Sequence, residues 1–152
     1  MRSAAPPRSA AGLALLLLLL GCAADEAQDT LRGSVSRVYP LGHDGVRARL
    51  SERELAVQYV EGAEVVVQVV VRLDEVALDG PTTVDLTAHG EVLGRRGEVR
   101  LPDFVRGALR LNAYAPQHGA KIAGDFDAVV STGSEELTVV GRFEASLEDL
   151  RE

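Results

Sequence analysis

Apolar and polar positions alternate with a period of two along most of the chain beyond residue 30. That is the period of a strand with one face buried. Leu31, Gly33 and Val35 alternate with Arg32, Ser34 and Ser36. Leu41-Gly42-His43-Asp44-Gly45 reads as a turn, after which Val46, Ala48 and Leu50 alternate with Arg47, Arg49 and Ser51. Leu55, Val57 and Tyr59 continue the pattern, and Gly62 ends it. Ser51 to Glu54 also fits a capping box, but the alternation that follows favours a strand. Val65, Val67, Val69, Val71 and Leu73 make the strongest strand signal. Val66 and Val70 fall on its other face, so part of that face is expected to be covered too. Asp79-Gly80-Pro81 is a break. Val84, Leu86 and Ala88 predict a further strand, His89-Gly90 and Arg95-Arg96-Gly97 predict turns, and Leu109, Leu111 and Ala113 predict a strand stopped before Pro116. Ser146 to Glu152 reads as one helical turn or a frayed tail.

The segment from Lys121 to Ser146 specifies more than its elements. Ile122, Gly124, Phe126, Ala128 and Val130 share one face of a strand, and Leu137, Val139, Gly141, Phe143 and Ala145 share one face of the next. Antiparallel pairing brings both faces to one side only when paired residue numbers sum to an odd value. A two-residue turn at Gly133-Ser134, with Gly in the first position as a type II′ turn prefers, gives a sum of 267. Phe126 then faces Gly141, and Gly124 faces Phe143, each ring expected to cover the glycine opposite. On the other face Asp125 meets Arg142, an opposite-charge pair.

The start of the chain follows a different pattern. Arg2 and Arg8 precede an unbroken apolar run from Gly12 to Leu20, and Gly21, Cys22, Ala23 and Ala24 follow. A basic start, an apolar core and small residues form the layout of a secretory signal. The run is about half the roughly 20 residues a membrane-spanning helix needs. Leu19-Leu20-Gly21-Cys22 resembles the lipobox of bacterial lipoproteins. The resemblance implies cleavage before Cys22, a diacylglyceryl group on its sulfur and acylation of the freed amine. Two or three acyl chains suffice for stable anchoring. Ordinary secretion, with cleavage after Ala24, is the competing reading. Ala23 resembles the residue that accompanies outer-membrane sorting in enterobacterial lipoproteins. Residues 23–30 are polar and lack a hydrophobic period, as a tether would.

Composition narrows the function classes. Removing residues 1–21 takes away Arg2 and Arg8 and no acidic residue, so the formal charge moves from −7 to −9. Such a surface repels phosphate backbones, and nucleic acid is not an expected partner. Cys22 is the one cysteine, so no internal disulfide forms and stability must come from the core. There is no Trp, with three Tyr and three Phe, too few aromatic platforms for a sugar-binding or single-strand-binding surface. Lys121 stands alone against 15 arginines, a bias of a GC-rich genome. Gly124-Asp125-Phe126-Asp127-Ala128 and Gly141-Arg142-Phe143-Glu144-Ala145 are two Gly-x-Phe-x-Ala copies. This ending resembles that of small all-β envelope lipoproteins of GC-rich Gram-negative bacteria, a likeness that carries no activity with it.

Candidate chemistry is sparse. His43, His89 and His118 lie in expected turns, and none has the His-x-His or His-x-x-x-His spacing of a metal site, though Asp44 adjoins His43. They read as polar turn residues, and no metal or other cofactor is expected. Asp125 and Asp127 share a strand face, as carboxylates for glycosidase chemistry or calcium would. A solvated face balanced by Arg142 is the simpler reading, and Glu135-Glu136 reads as solvated beside the turn. The chain has no Gly-x-Ser-x-Gly elbow and no phosphate loop.

The expectation is therefore a signal peptide over 1–21, lipid attachment at Cys22 with a tether over 22–30, an all-β domain over 31–147, and a tail over 148–152. The domain is expected to be an antiparallel sandwich or open barrel of about seven to nine strands. The expected role is non-enzymatic: a binding or structural protein anchored in the cell envelope, most naturally at the outer membrane through its acyl chains. A carrier holding a small apolar ligand or lipid is the alternative, and an envelope hydrolase stands third.

Overall fold

A computed structural model describes residues 29–152. The expected signal peptide, Cys22 and most of the expected tether lie outside the described residues. In chain order the elements are β1 (Thr30–Arg32), β2 (Gly45–Leu50), β3 (Glu54–Glu61), β4 (Glu64–Arg72), β5 (Thr82–Asp85), α1 (Leu86–His89), β6 (Gly90–Leu93), β7 (Arg95–Arg96), β8 (Val99–Arg100), β9 (Asp103–Ala113), β10 (Lys121–Ser131) and β11 (Glu136–Asp149). The fold is all-β. Nine strands form one sheet in the order β5-β9-β10-β11-β2-β3-β4-β6, with β1 also on β11, and β7-β8 form a separate ribbon.

This sheet curls into a nearly closed barrel. β5 and β6 stand at opposite ends of the strand order, yet only the four residues of α1 separate them in the chain. The two ends must therefore be neighbours in space. At the seam Gly107 N–H of β9 donates to Thr87 Oγ1 of α1 (3.3 Å). Closure of this kind removes most of the exposed edge that an open sheet leaves.

The β10–β11 hairpin has the expected register along its whole length. Phe126 pairs with Gly141, Gly124 with Phe143, and Asp125 with Arg142, every pair summing to 267. Gly133 takes φ 91° at the turn, a conformation open to glycine. Phe126 packs over Gly141, where an added Cβ would collide with its ring and with the Tyr59 hydroxyl. Gly124 answers to a different neighbour than Phe143. A Cβ there would strike the Arg110 carbonyl of β9, next to a register shift between Ala123 and Gly124.

Three expectations need correction. The alternation from Leu31 to Val35 yields only a three-residue strand, then a 3-10 turn over Ser34–Arg37. Gly33 ends the strand at φ 151°, where a side chain would meet the Thr138 carbonyl of β11. The strand expected through Ala88 stops at Asp85, whose side chain accepts the Thr87 N–H (2.9 Å) and starts α1. The C-terminal segment is neither a helical turn nor a tail as far as Asp149. β11 continues there and pairs in parallel with β2, Leu147 beside Ala48 and Asp149 beside Leu50, making the sheet mixed.

The interior is filled. Leu50, Val57, Tyr59, Val69, Leu109, Phe126, Val139 and Phe143 are all buried members of one apolar cluster. Tyr59 reaches from β3 across to β11 and donates to the Arg142 carbonyl (2.7 Å). On β3 and β4 the residues of opposite phase, Ala56, Val66 and Val70, are buried as well. Tyr39 donates to the Val66 carbonyl (2.5 Å), and Tyr39, Leu101 and Val66 meet around Gly94, whose missing side chain makes room for them.

Candidate functional site

The outward face of β1, β11, β10 and β9 carries a charged grid. Cross-strand pairing sets Thr30, Arg142, Asp125 and Arg110 in one row, and Arg32, Val140, Asp127 and Ala108 in the next. Between the tall side chains lies a groove of about 490 Å³. Val140 lies half-buried on its floor, between Arg32 on β1 and Asp127 on β10.

Asp125 and Asp127 do share this face, but the cation that holds them is not the expected one. Arg110 of β9 donates through both terminal nitrogens to Asp127 Oδ1 (2.8 and 2.6 Å) and lies 3.2 Å from Asp125 Oδ1. Arg142 pairs with Asp125 through the backbone register alone. Among the described residues neither Arg142 nor Arg32 makes an ion pair, and both are exposed. Arg32 and Arg110 escaped the sequence reading because their place depends on strand pairings with no local signal. β9 meets β10 through two register shifts, and β1 is three residues long. The parity of β10 did place Asp125 and Asp127 together on the outer face, which the sequence reading took as solvated.

The three histidines do not converge. His43 Nδ1 lies 3.2 Å from the Leu41 carbonyl, and its ring stands edge-on to Tyr59 at 5.2 Å. His89 Nδ1 lies 3.3 Å from Glu75 Oε2, and His118 Nδ1 accepts the Asp149 N–H (3.3 Å). Asp44 accepts the Gly62 N–H (2.8 Å) and so closes the β3–β4 turn. Among the described residues no group of three or more His, Cys, Asp and Glu side chains could hold a metal ion. Glu135 and Glu136 are not simply solvated: Glu135 pairs with Arg37 at 3.1 Å, and Arg106 grips Glu136 with two bonds (3.1 and 2.8 Å). That grip holds the Glu136 carboxyl below its usual range.

Burial governs the largest proton shifts. Burial raises all three tyrosines: Tyr39 is pushed up to about 12, and Tyr59 is raised further. A hydrogen bond from Arg151 lowers Asp149 to about 2. A second cleft, of about 550 Å³, follows the seam between β6 and β9. Its polar groups include Arg72, bonded to the Ala88 carbonyl (3.0 Å), and Thr87, which caps Gly107. Leu93 and Val105 in its lining leave apolar surface exposed.

The start of β1 is tied into the barrel. Asp29 accepts the Glu144 N–H (2.8 Å), and Thr30, Leu31 and Arg32 pair with Arg142, Gly141 and Val140. The fold thus takes hold of the chain at Asp29, within the expected tether. No protein-family model, curated protein or solved structure matches the chain.

Proposed function

We propose that this chain is a lipid-anchored protein of the cell envelope, held at the outer membrane by acyl chains on Cys22. Its barrel serves a non-enzymatic binding or structural role through its outer wall. The observation that carries this reading is the short path from lipobox to fold. Cys22 stands eight residues before Thr30, the first residue of β1. An extended tether of that length reaches about 30 Å at most, which would keep the charged grid close to the membrane surface. The filled interior favours a surface-binding role over a carrier of apolar ligands, because a ligand there would have to displace packed side chains. The apolar interior and charged exterior also invert the pattern of a barrel that spans a membrane.

The test is Cys22→Ser in a bacterial host that performs lipoprotein acylation. The wild-type chain should incorporate labelled palmitate and sediment with membranes. The variant should incorporate none and leave the membrane fraction. Palmitate incorporation that persists in the variant would refute the anchor.

A further inference from the structure

We propose that the groove over Val140 binds a phosphoethanolamine-type lipid headgroup, its phosphate held by Arg32 and Arg142 and its ammonium facing Asp125 and Asp127. The geometry supplies the two charges on separate sides. Arg32 lies across the β1–β11 pairing from Val140, and Arg142 stands two residues further along the same face of β11. Neither guanidinium has an ion-pair partner among the described residues, so both forks are free to take phosphate oxygens. On the opposite side Asp127 pairs across from Val140, with Asp125 beside it. Arg110 holds this carboxylate pair in place from behind and leaves part of each group open, at 42% exposure for Asp125 and 48% for Asp127. Val140 supplies an apolar floor beneath the link between the two charges.

Two features select the class. The chain carries a formal charge of −7, which opposes long polyanions at a distance. A zwitterionic headgroup pays little of that repulsion and matches both sides of the groove. Arg32 also lies only ten residues beyond Cys22, so the first strand after the anchor offers its arginine within about 35 Å of the membrane surface. The membrane as the source of the ligand rests on the anchored reading; the chemistry of the groove does not.

Calorimetric titration of the full chain, extracted in a non-ionic detergent, provides the test. The probes are glycerophosphoethanolamine, glycerophosphoglycerol and inorganic phosphate. Glycerophosphoethanolamine should bind most tightly, and Arg32→Gln with Arg142→Gln should weaken it by about tenfold or more. Arg37→Gln removes the same charge outside the groove and should leave the affinity within about twofold. Arg142→Lys keeps the charge but loses the fork, and should lie between wild type and the double variant. Unchanged melting temperatures would confirm that the exposed substitutions leave the barrel folded. Equal binding of inorganic phosphate, or glycerophosphoethanolamine binding that ignores Arg32 and Arg142, would overturn the proposal. Failure of the anchor would appear separately, as loss of palmitate incorporation with arginine-dependent headgroup binding intact.

Discussion

The β10–β11 hairpin and the β3–β4 hairpin are built from similar residues and end differently. In β10 exposure alternates at every position: Ile122, Gly124, Phe126, Ala128 and Val130 are buried, and the residues between them are open at least in part. In β3 every residue from Leu55 to Val60 is buried, and in β4 Val66, Val67, Val69, Val70 and Val71 are buried. The first hairpin is covered on one side and the second on both. A one-sided strand announces its register, because slipping by one residue would turn its apolar set to water. A two-sided strand loses that constraint, because either phase of its side chains meets a covered face. The one-sided wall is also the one whose outer face stays free, and it holds the charged groove.

Side-chain deletions should sharpen this contrast, beginning with the largest effect. Phe126→Ala should cost about 3–5 kcal/mol, whereas Val129→Ala, on the outer face of the same strand, should cost less than about 1 kcal/mol. On β4 the phase should not matter. Val69→Ala and Val70→Ala should each cost about 2 kcal/mol, since both side chains are buried. Chemical denaturation of the four variants measures these differences. A cheap Val70→Ala would mean that the outer side of β4 is open and would break the comparison.

The tyrosines brace both walls and give the next effect. Tyr39 closes over β4 through the Val66 carbonyl, and Tyr59 ties β3 to β11. Burial raises both, so the folded chain holds these protons more tightly than the unfolded chain. Stability should be complete below the ordinary tyrosine value of about 10 and should fall as pH rises from there through the Tyr39 value of about 12. Absorbance at 295 nm should show Tyr39 and Tyr59 still protonated near pH 10 while the protein stays folded. A rise there corresponding to more than one tyrosine before unfolding would show that these hydroxyls are open to water.

The smallest effect belongs to the outer face. Asp125→Asn removes one of two carboxylates on Arg110, all partly exposed, and should change stability by about 0–1 kcal/mol. Thermal melts would detect a larger loss, which would mark the grid as a structural brace instead of a surface open to ligand.

The same physics explains what was legible in the sequence. The final hairpin could be read to the residue because turn, parity and charge act within one short segment. The covering of Val66 and Val70 was legible as a need, but not its source: at Val66 it is Tyr39 and Leu101, from distant parts of the chain. The parallel pairing of Leu147 with Ala48 had no local signal, because it arises from the curl that brings the last strand beside β2. Arg110 was missed for a related reason. Its place opposite Asp125 follows from a β9–β10 register interrupted by irregularities, which alternation alone does not count. In α1, the capping by Asp85 outweighed the strand alternation that continued through Ala88.

The division between a filled interior and a binding outer wall can be tested in one NMR titration of the detergent-extracted full chain. Methyl groups of Leu109, Ala128, Val130 and Val139 report on the interior, and the side-chain N–H signals of Arg32 and Arg142 report on the groove. Glycerophosphoethanolamine should shift the arginine signals and leave those methyls in place, and lauric acid should move none of the four methyls. Shifts of the interior methyls with lauric acid, with the arginine signals unmoved by the headgroup, would contradict the division and identify the barrel as a container.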